Sequence, residues 1–109
     1  MNGRIDLNRI LKNYKVVYEI EEKMGEWTFH ITDLPVTLKI KVIRVMPQSE
    51  FMGIANYSIQ NPEQGSPYRS LHLCDTVEDA LIDALKGFLI WWNPQKYGKQ
   101  TKFILDKEW

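Results

Sequence analysis

The chain has 109 residues, of which 44% are hydrophobic and 26% charged, with fourteen acidic residues against fourteen lysines and arginines. These values are typical of a single globular domain spanning residues 1–109, and they exclude a disordered chain or two domains of ordinary size. A net charge of zero also excludes the bulk attraction that most nucleic-acid and membrane-surface proteins use, so any such binding needs a local patch.

The sequence indicates a cytoplasmic protein. Cys74 is the only cysteine, so no disulfide can form within the chain, and a lone thiol is typical of a reducing compartment. No apolar run reaches the roughly 20 residues of a membrane span, and the first residues lack the apolar stretch of a signal peptide. The chain also carries no cofactor-binding motif. We therefore expect a cytoplasmic protein with no membrane contact and no cofactor.

The first third of the chain predicts a short helix followed by a hairpin. Asp6 is a suitable N-cap for a helix over residues 6–13, whose apolar positions share one face. Alternating apolar residues then predict a strand over 14–20. A turn at Gly25 leads to a second alternating stretch over 27–31, so the two stretches are predicted to pair as a hairpin.

Further strands and a long loop are predicted in the middle of the chain. The stretch 36–42 alternates regularly, and the change of phase at 43–45 indicates a bulge or a strand end covered on both faces. A fourth strand is predicted over 51–59, weakened in its middle by Gly53. Two prolines and a glycine predict a loop over 61–68, which we expect to border a binding surface.

The strongest signal in the sequence is a long amphipathic helix over residues 77–92, capped by Asp75 or Thr76. Short strands are predicted on either side of it, over 71–74 and 101–105. Strands in succession followed by one long amphipathic helix predict the α+β class. We expect an antiparallel sheet of four to six strands, with the long helix packed across one face and a short N-terminal helix.

The pair His72 and Cys74 provides the main catalytic hypothesis, because a helix N-terminus after the cysteine would favour a thiolate. Three acidic residues in this first turn oppose the thiolate. They are Asp75, Glu78 and Asp79. A structural thiol is therefore the preferred interpretation. His30 adds a third potential metal ligand, but one cysteine and two histidines are too few for the familiar four-ligand zinc sites.

The exposed side of the predicted long helix is mostly charged. Asp79 and Asp83 lie one turn apart, and with Lys86 they are typical of a solvated helix face. Ile90 projects onto the same side. A single exposed isoleucine is ordinary, but it becomes informative if Ile82 or a partner chain extends the apolar patch.

Two segments contain the candidate interaction residues. Tyr and Arg are enriched at interface hot spots, so Tyr68 and Arg69 at the end of the predicted loop are candidate anchors for a protein partner. A second segment has lysines at steps of three, an aromatic residue and no acid, which is typical of a phosphate-facing loop with a stacking platform. Its candidate residues are Lys96, Tyr97, Lys99 and Lys102.

These observations favour a non-catalytic protein-binding module, a small accessory or regulatory protein of the kind that phages and mobile elements encode. We expect another protein as its partner and a monomer or small homo-oligomer as its state. One alternative is a nucleic-acid-binding protein that uses the basic loop over 96–102. The other is a small thiol- or metal-dependent enzyme around His72 and Cys74.

Overall fold

A computed structural model describes residues 5–109 and confirms the predicted α+β class. The elements are α1 (Leu7–Asn13), β1 (Ile20–Phe29), β2 (Leu38–Met46), β3 (Glu50–Ala55), β4 (Tyr57–Gln60), β5 (Leu73–Cys74), α2 (Val77–Leu89) and β6 (Lys102–Leu105). An antiparallel sheet has the strand order β1-β2-β3-β5, and β4 pairs with β6 in a second sheet. The long helix α2 packs on β3, β2 and β5, as predicted. None of the helices formed by residues 5–109 is long and apolar enough to cross a membrane.

Both helices begin at the side-chain caps that the sequence contains. The Asp6 carboxylate accepts a hydrogen bond from the Arg9 backbone N–H at 3.1 Å. At the start of α2, the Thr76 hydroxyl accepts from the Asp79 backbone N–H at 3.0 Å, so Thr76 rather than Asp75 is the N-cap. These bonds satisfy N–H groups that have no partner inside the helix. The helix predicted over 77–92 ends at Leu89.

The predicted hairpin between 14–20 and 27–31 is wrong. Residues 14–19 lie outside any strand, because no neighbouring strand pairs with their backbone groups. The chain does not turn at Gly25 but continues through it in β1, with Met24 as an extra residue in the β1–β2 register. The Trp27 ring lies over Gly25, where an added Cβ would come within 2.5 Å of the indole. A larger residue at position 25 would therefore displace the Trp27 ring.

The change of phase in β2 has a physical explanation in its neighbour. The extra residue Met24 lies opposite the junction between Val42 and Ile43, so the predicted bulge belongs to β1 and not to β2. After this junction β2 is buried on both faces, since Val45 and Met46 are 7% and 4% exposed. The alternation therefore changes because both sides of the strand end are covered.

Gly53 lets α2 approach the sheet closely. A Cβ at this position would lie 2.3 Å from the Ala80 carbonyl oxygen and 2.9 Å from the Ala84 Cβ. The glycine therefore strengthens the packing of the helix on β3, contrary to the expected weakening of the strand. The core beneath the helix contains six buried residues. They are Leu38, Ile40, Ala55, Ile59, Ala84 and Phe88.

The strand predicted over 51–59 is divided into β3 and β4 by the buried residue Asn56. Its side-chain oxygen accepts a hydrogen bond from the Lys39 N–H at 2.8 Å, and its amide nitrogen donates to the Thr37 carbonyl at 3.2 Å. The Asn56 backbone N–H donates to the Lys39 carbonyl, and its carbonyl accepts from the Asp106 N–H, both at 2.9 Å. Asn56 therefore connects the two sheets.

Candidate functional site

An open groove of about 440 Å³ lies along the outer side of α2. Its lining side chains are Cys74, Asp79, Ile82, Asp83, Lys86 and Ile90. Ile82 and Ile90 are 46% and 76% exposed. The exposed apolar surface of α2 therefore includes Ile82 as well as Ile90, which is the case in which the sequence made Ile90 informative. An exposed apolar patch with a polar rim is typical of an interaction site.

The groove combines this apolar surface with a negative edge. Asp79 and Asp83 line it, with Lys86 as the single lining cation. From Asp75 to Asp83 the chain contains four acidic residues and no basic residue. Charges of one sign beside an apolar surface favour a ligand that carries the opposite sign. The groove lining itself has two carboxylates and one ammonium group beside its apolar side chains.

A serine, a histidine and an aspartate meet at one edge of the groove. Ser70 donates a hydrogen bond to Oδ2 of Asp83. The Nδ1 atom of His72 lies 3.2 Å from the same carboxylate oxygen and 3.3 Å from the Ser70 hydroxyl. Residue spacing does not reveal this cluster, because Ser70 and His72 precede α2 and Asp83 lies in its middle. No local sequence pattern marks Ser70 as a site residue or connects Asp83 with His72.

The geometry of this cluster differs from that of a serine hydrolase. In a catalytic triad the serine binds one imidazole nitrogen and the aspartate binds the other. Here both groups lie against Nδ1 of His72, and the serine hydroxyl is bonded to the aspartate directly. Ser70 is also only 3% exposed, so its hydroxyl is not presented to a substrate. The arrangement fixes the Asp83 carboxylate beside the groove.

Cys74 is half-buried and lines the groove, and burial together with nearby carboxylates raises the pKa of its thiol. After burial, the largest contributions come from Asp83, Asp79 and Asp75. Because thiolates are the reactive form, a raised pKa makes the thiol a poorer nucleophile at neutral pH. Of the three first-turn acids predicted to oppose the thiolate, Asp75 and Asp79 contribute to the raised pKa and Glu78 does not, whereas Asp83 contributes more than either.

We expect iodoacetamide to label Cys74 more slowly in the folded protein than in the urea-unfolded chain at pH 7, since folding lowers the thiolate fraction. Mass spectrometry of quenched samples measures both rates. Asp79→Asn removes one of the opposing charges and should speed the labelling of the folded protein. Faster labelling of the folded wild type than of the unfolded chain would contradict the prediction.

The candidate anchors Tyr68 and Arg69 both contact other parts of the chain. Tyr68 pairs through its backbone with Ile59, and its ring packs against Gly87, where an added Cβ would lie 2.6 Å from the tyrosine hydroxyl. Gly87 is itself part of the groove lining. Arg69 forms an ion pair with Asp106, and this guanidinium lowers the pKa of the Asp106 carboxyl. The Tyr68 ring therefore packs against a residue that lines the groove.

The loop over 61–68 borders a second depression of about 280 Å³, which also includes Trp91. The loop is held by Asn61, which is 5% exposed and donates from its side chain to the Trp91 carbonyl at 3.0 Å. The Gln64 side chain donates to the Ile59 carbonyl at 3.0 Å. The loop is thus tied to the sheet and to the end of α2 by its own polar side chains.

Among the three candidate lysines, Lys96 forms an ion pair with Glu63, whereas Lys99 and Lys102 do not. Lys96 lies 3.3 Å from a Glu63 carboxylate oxygen and 5.2 Å from the centre of the Tyr97 ring. The Tyr97 hydroxyl and the Lys96 ammonium lower the pKa of the Glu63 carboxyl. Lys99 and Lys102 are exposed and form no ion pair within residues 5–109. The segment therefore has less free positive charge than its sequence suggests.

Over residues 5–109, no three histidine, cysteine or acidic side chains come together in a metal-binding group. Comparisons with protein-family models, curated proteins and solved structures give no match to this chain.

Proposed function

We propose that this chain is a non-catalytic protein-binding module, a small accessory or regulatory protein whose α2 groove binds a segment of another protein. The observation that carries the proposal is that two exposed isoleucines, Ile82 and Ile90, line a groove of about 440 Å³ together with the carboxylates of Asp79 and Asp83. A binding role also agrees with the buried Ser70 and the raised pKa of Cys74.

The chemistry of the groove defines the partner segment. Apolar side chains of the partner would cover Ile82 and Ile90, and lysine or arginine side chains would lie beside Asp79 and Asp83. Ser70 and His72 hold the Asp83 carboxylate in place, so this charge is positioned before binding. A preorganised charge costs less to order when the partner arrives.

Selection from a library of random 12-residue peptides displayed on beads tests this proposal. We expect the full-length protein to enrich peptides that combine aromatic or aliphatic residues with lysine or arginine. The changes Ile90→Lys and Asp79→Lys should each weaken their binding by about tenfold or more, because each introduces a positive charge at the groove. Ile104→Lys, an exposed isoleucine on β6, serves as the matched control and should leave binding unchanged.

Two outcomes would overturn the proposal. One is enrichment of peptides that bind the Ile90→Lys protein as well as the wild type. The other is a failure to enrich any peptide while single-stranded nucleic acid binds below 1 μM at 150 mM salt and is lost when Lys96, Lys99 and Lys102 become glutamate. Contacts with phosphates weaken steeply with salt, so this second result would require a real nucleic-acid site.

A further inference from the structure

An arm over residues 5–19 has apolar side chains that no other part of residues 5–109 covers. Tyr14, Val16 and Tyr18 are 62%, 91% and 86% exposed, and Ile5 is 71% exposed. No residue of the arm is buried. Large apolar side chains gathered in one segment and left in water mark a contact surface rather than ordinary scatter. The exposed apolar side chains of the arm therefore indicate a surface that another molecule covers.

The arm is attached to the rest of the chain at both ends. At its start, Ile5 and Leu7 lie beside Met46 and Pro47 and form a depression of about 250 Å³ with the end of β2. At its other end it continues into β1 at Ile20. The part that lacks cover is the segment over 14–18, whose alternating residues predicted a strand. Within this segment the Val17 N–H donates to the Tyr14 carbonyl at 2.9 Å, so the backbone forms a turn that leaves Tyr14, Val16 and Tyr18 exposed.

We propose that the arm of one copy docks in the α2 groove of a second copy, so that two copies exchange arms in a two-fold dimer. This inference rests on the proposed function, because it uses the same groove. The net charges have opposite signs: the arm over 5–19 has three basic and two acidic residues, whereas from Asp75 to Asp83 the chain has four acidic residues and no basic residue. Tyrosine is also a frequent interface anchor.

The topology explains why the occupant is a second copy and not the chain's own arm. The arm leads into β1, which is one edge of the four-stranded sheet, and the groove includes Cys74 of β5, which is the opposite edge. Three strand spacings, about 14 Å, separate these edges. Ile5 and Leu7 hold the start of the arm beside Met46 and Pro47, and its end is fixed where β1 begins at Ile20. Because both ends are held away from β5, the groove that the arm can enter is that of a second copy. Reciprocal exchange closes the assembly as a dimer.

The overall dimensions agree with a chain that has not buried its arm. The radius of gyration is 16.6 Å and the principal extents are 53 × 30 × 24 Å. A compact chain of this length has a radius of gyration of about 13 Å. Docking the arm on a second copy would cover the exposed tyrosines without further folding of either chain. Because the same groove would be occupied, self-association and partner binding would exclude each other.

Analytical ultracentrifugation of the full-length chain tests the inference. We expect a dimer in the wild type, and a dissociation constant raised by about tenfold or more in both Val16→Asp and Ile90→Lys. These positions are highly exposed in the single chain, so circular dichroism should show an unchanged fold. The controls Ile104→Lys and Leu105→Asp carry the same changes on β6 and should dimerise as the wild type does.

Mixing the two variants distinguishes arm exchange from any other dimer. A mixture of Val16→Asp and Ile90→Lys restores one intact arm-and-groove contact and places an aspartate against a lysine in the other. We therefore expect mixed dimers to form at concentrations where each variant alone is mostly monomeric. A wild type that is monomeric at about 1 mM, a dimer insensitive to Ile90→Lys, or a mixture that stays monomeric would each overturn the inference. If peptides still bind the groove, the proposed function stands without it.

Discussion

Replacing Phe88 with alanine should lower the free energy of unfolding by about 3–5 kcal/mol, the range for a large aromatic residue removed from a core. Phe88 is 2% exposed and packs beneath α2 with Leu38 and Ile40. Its ring also stacks on Phe103 of β6, with 6.2 Å between centroids, so the cavity would loosen the second sheet as well. Urea unfolding followed by circular dichroism measures the change.

The control for this prediction is Ile90→Ala, two residues further along the chain at the C-cap of α2. Ile90 is 76% exposed, so its truncation should change the free energy of unfolding by less than about 0.5 kcal/mol. Equal losses in the two variants would show that the buried face of α2 is assigned wrongly. Because Ile90 lines the groove, Ile90→Ala should weaken ligand binding while leaving the free energy of unfolding nearly unchanged.

Replacing Gly53 with alanine should destabilise the protein by about 3 kcal/mol, at the upper end of the range for overpacking. The new methyl group would lie 2.3 Å from the Ala80 carbonyl oxygen, so α2 itself would have to move away from β3. A backbone atom cannot move aside by changing a rotamer, unlike the end of a flexible side chain. We expect the loss to appear as a lower urea midpoint.

Gly65→Ala is the matched control, because no atom lies within 4 Å of a Cβ built at Gly65. Its free energy of unfolding should stay within about 0.5 kcal/mol of the wild type. If Gly53→Ala is equally harmless, the close approach of α2 to the sheet is not real. If both are destabilising, the effect belongs to glycine replacement in general and not to the helix contact.

The predictions from sequence succeeded where a local pattern also had a partner in space. The caps Asp6 and Thr76 and the stripe of α2 are local, and all three appear in the structure. The alternation over 14–18 is equally regular, but without a neighbouring strand it forms no sheet. Asn56 interrupts an apolar run because of bonds to residues far away in the chain, which no local pattern contains.

The groove was predicted only in part. The position of Ile90 on the charged side of the helix can be read from spacing, and Ile82 extends the patch as the sequence allowed. The Ser70 contact with Asp83 was not predictable, because it joins two segments whose approach depends on the packing of α2. The internal roles of Tyr68 and Arg69 were missed for the same reason, since Gly87 and Asp106 are distant in sequence.

The hydrogen bonds of Asn56 have a consequence for how the molecule opens. Its four bonds hold the start of β2 and the end of β6 through one residue, so neither sheet can separate there without releasing the other. Amide hydrogen exchange should therefore give the N–H groups of Lys39 in β2 and of Asp106 just after β6 similar protection. Local opening energies normally vary from one segment to the next, and shared protection marks a single cooperative unit.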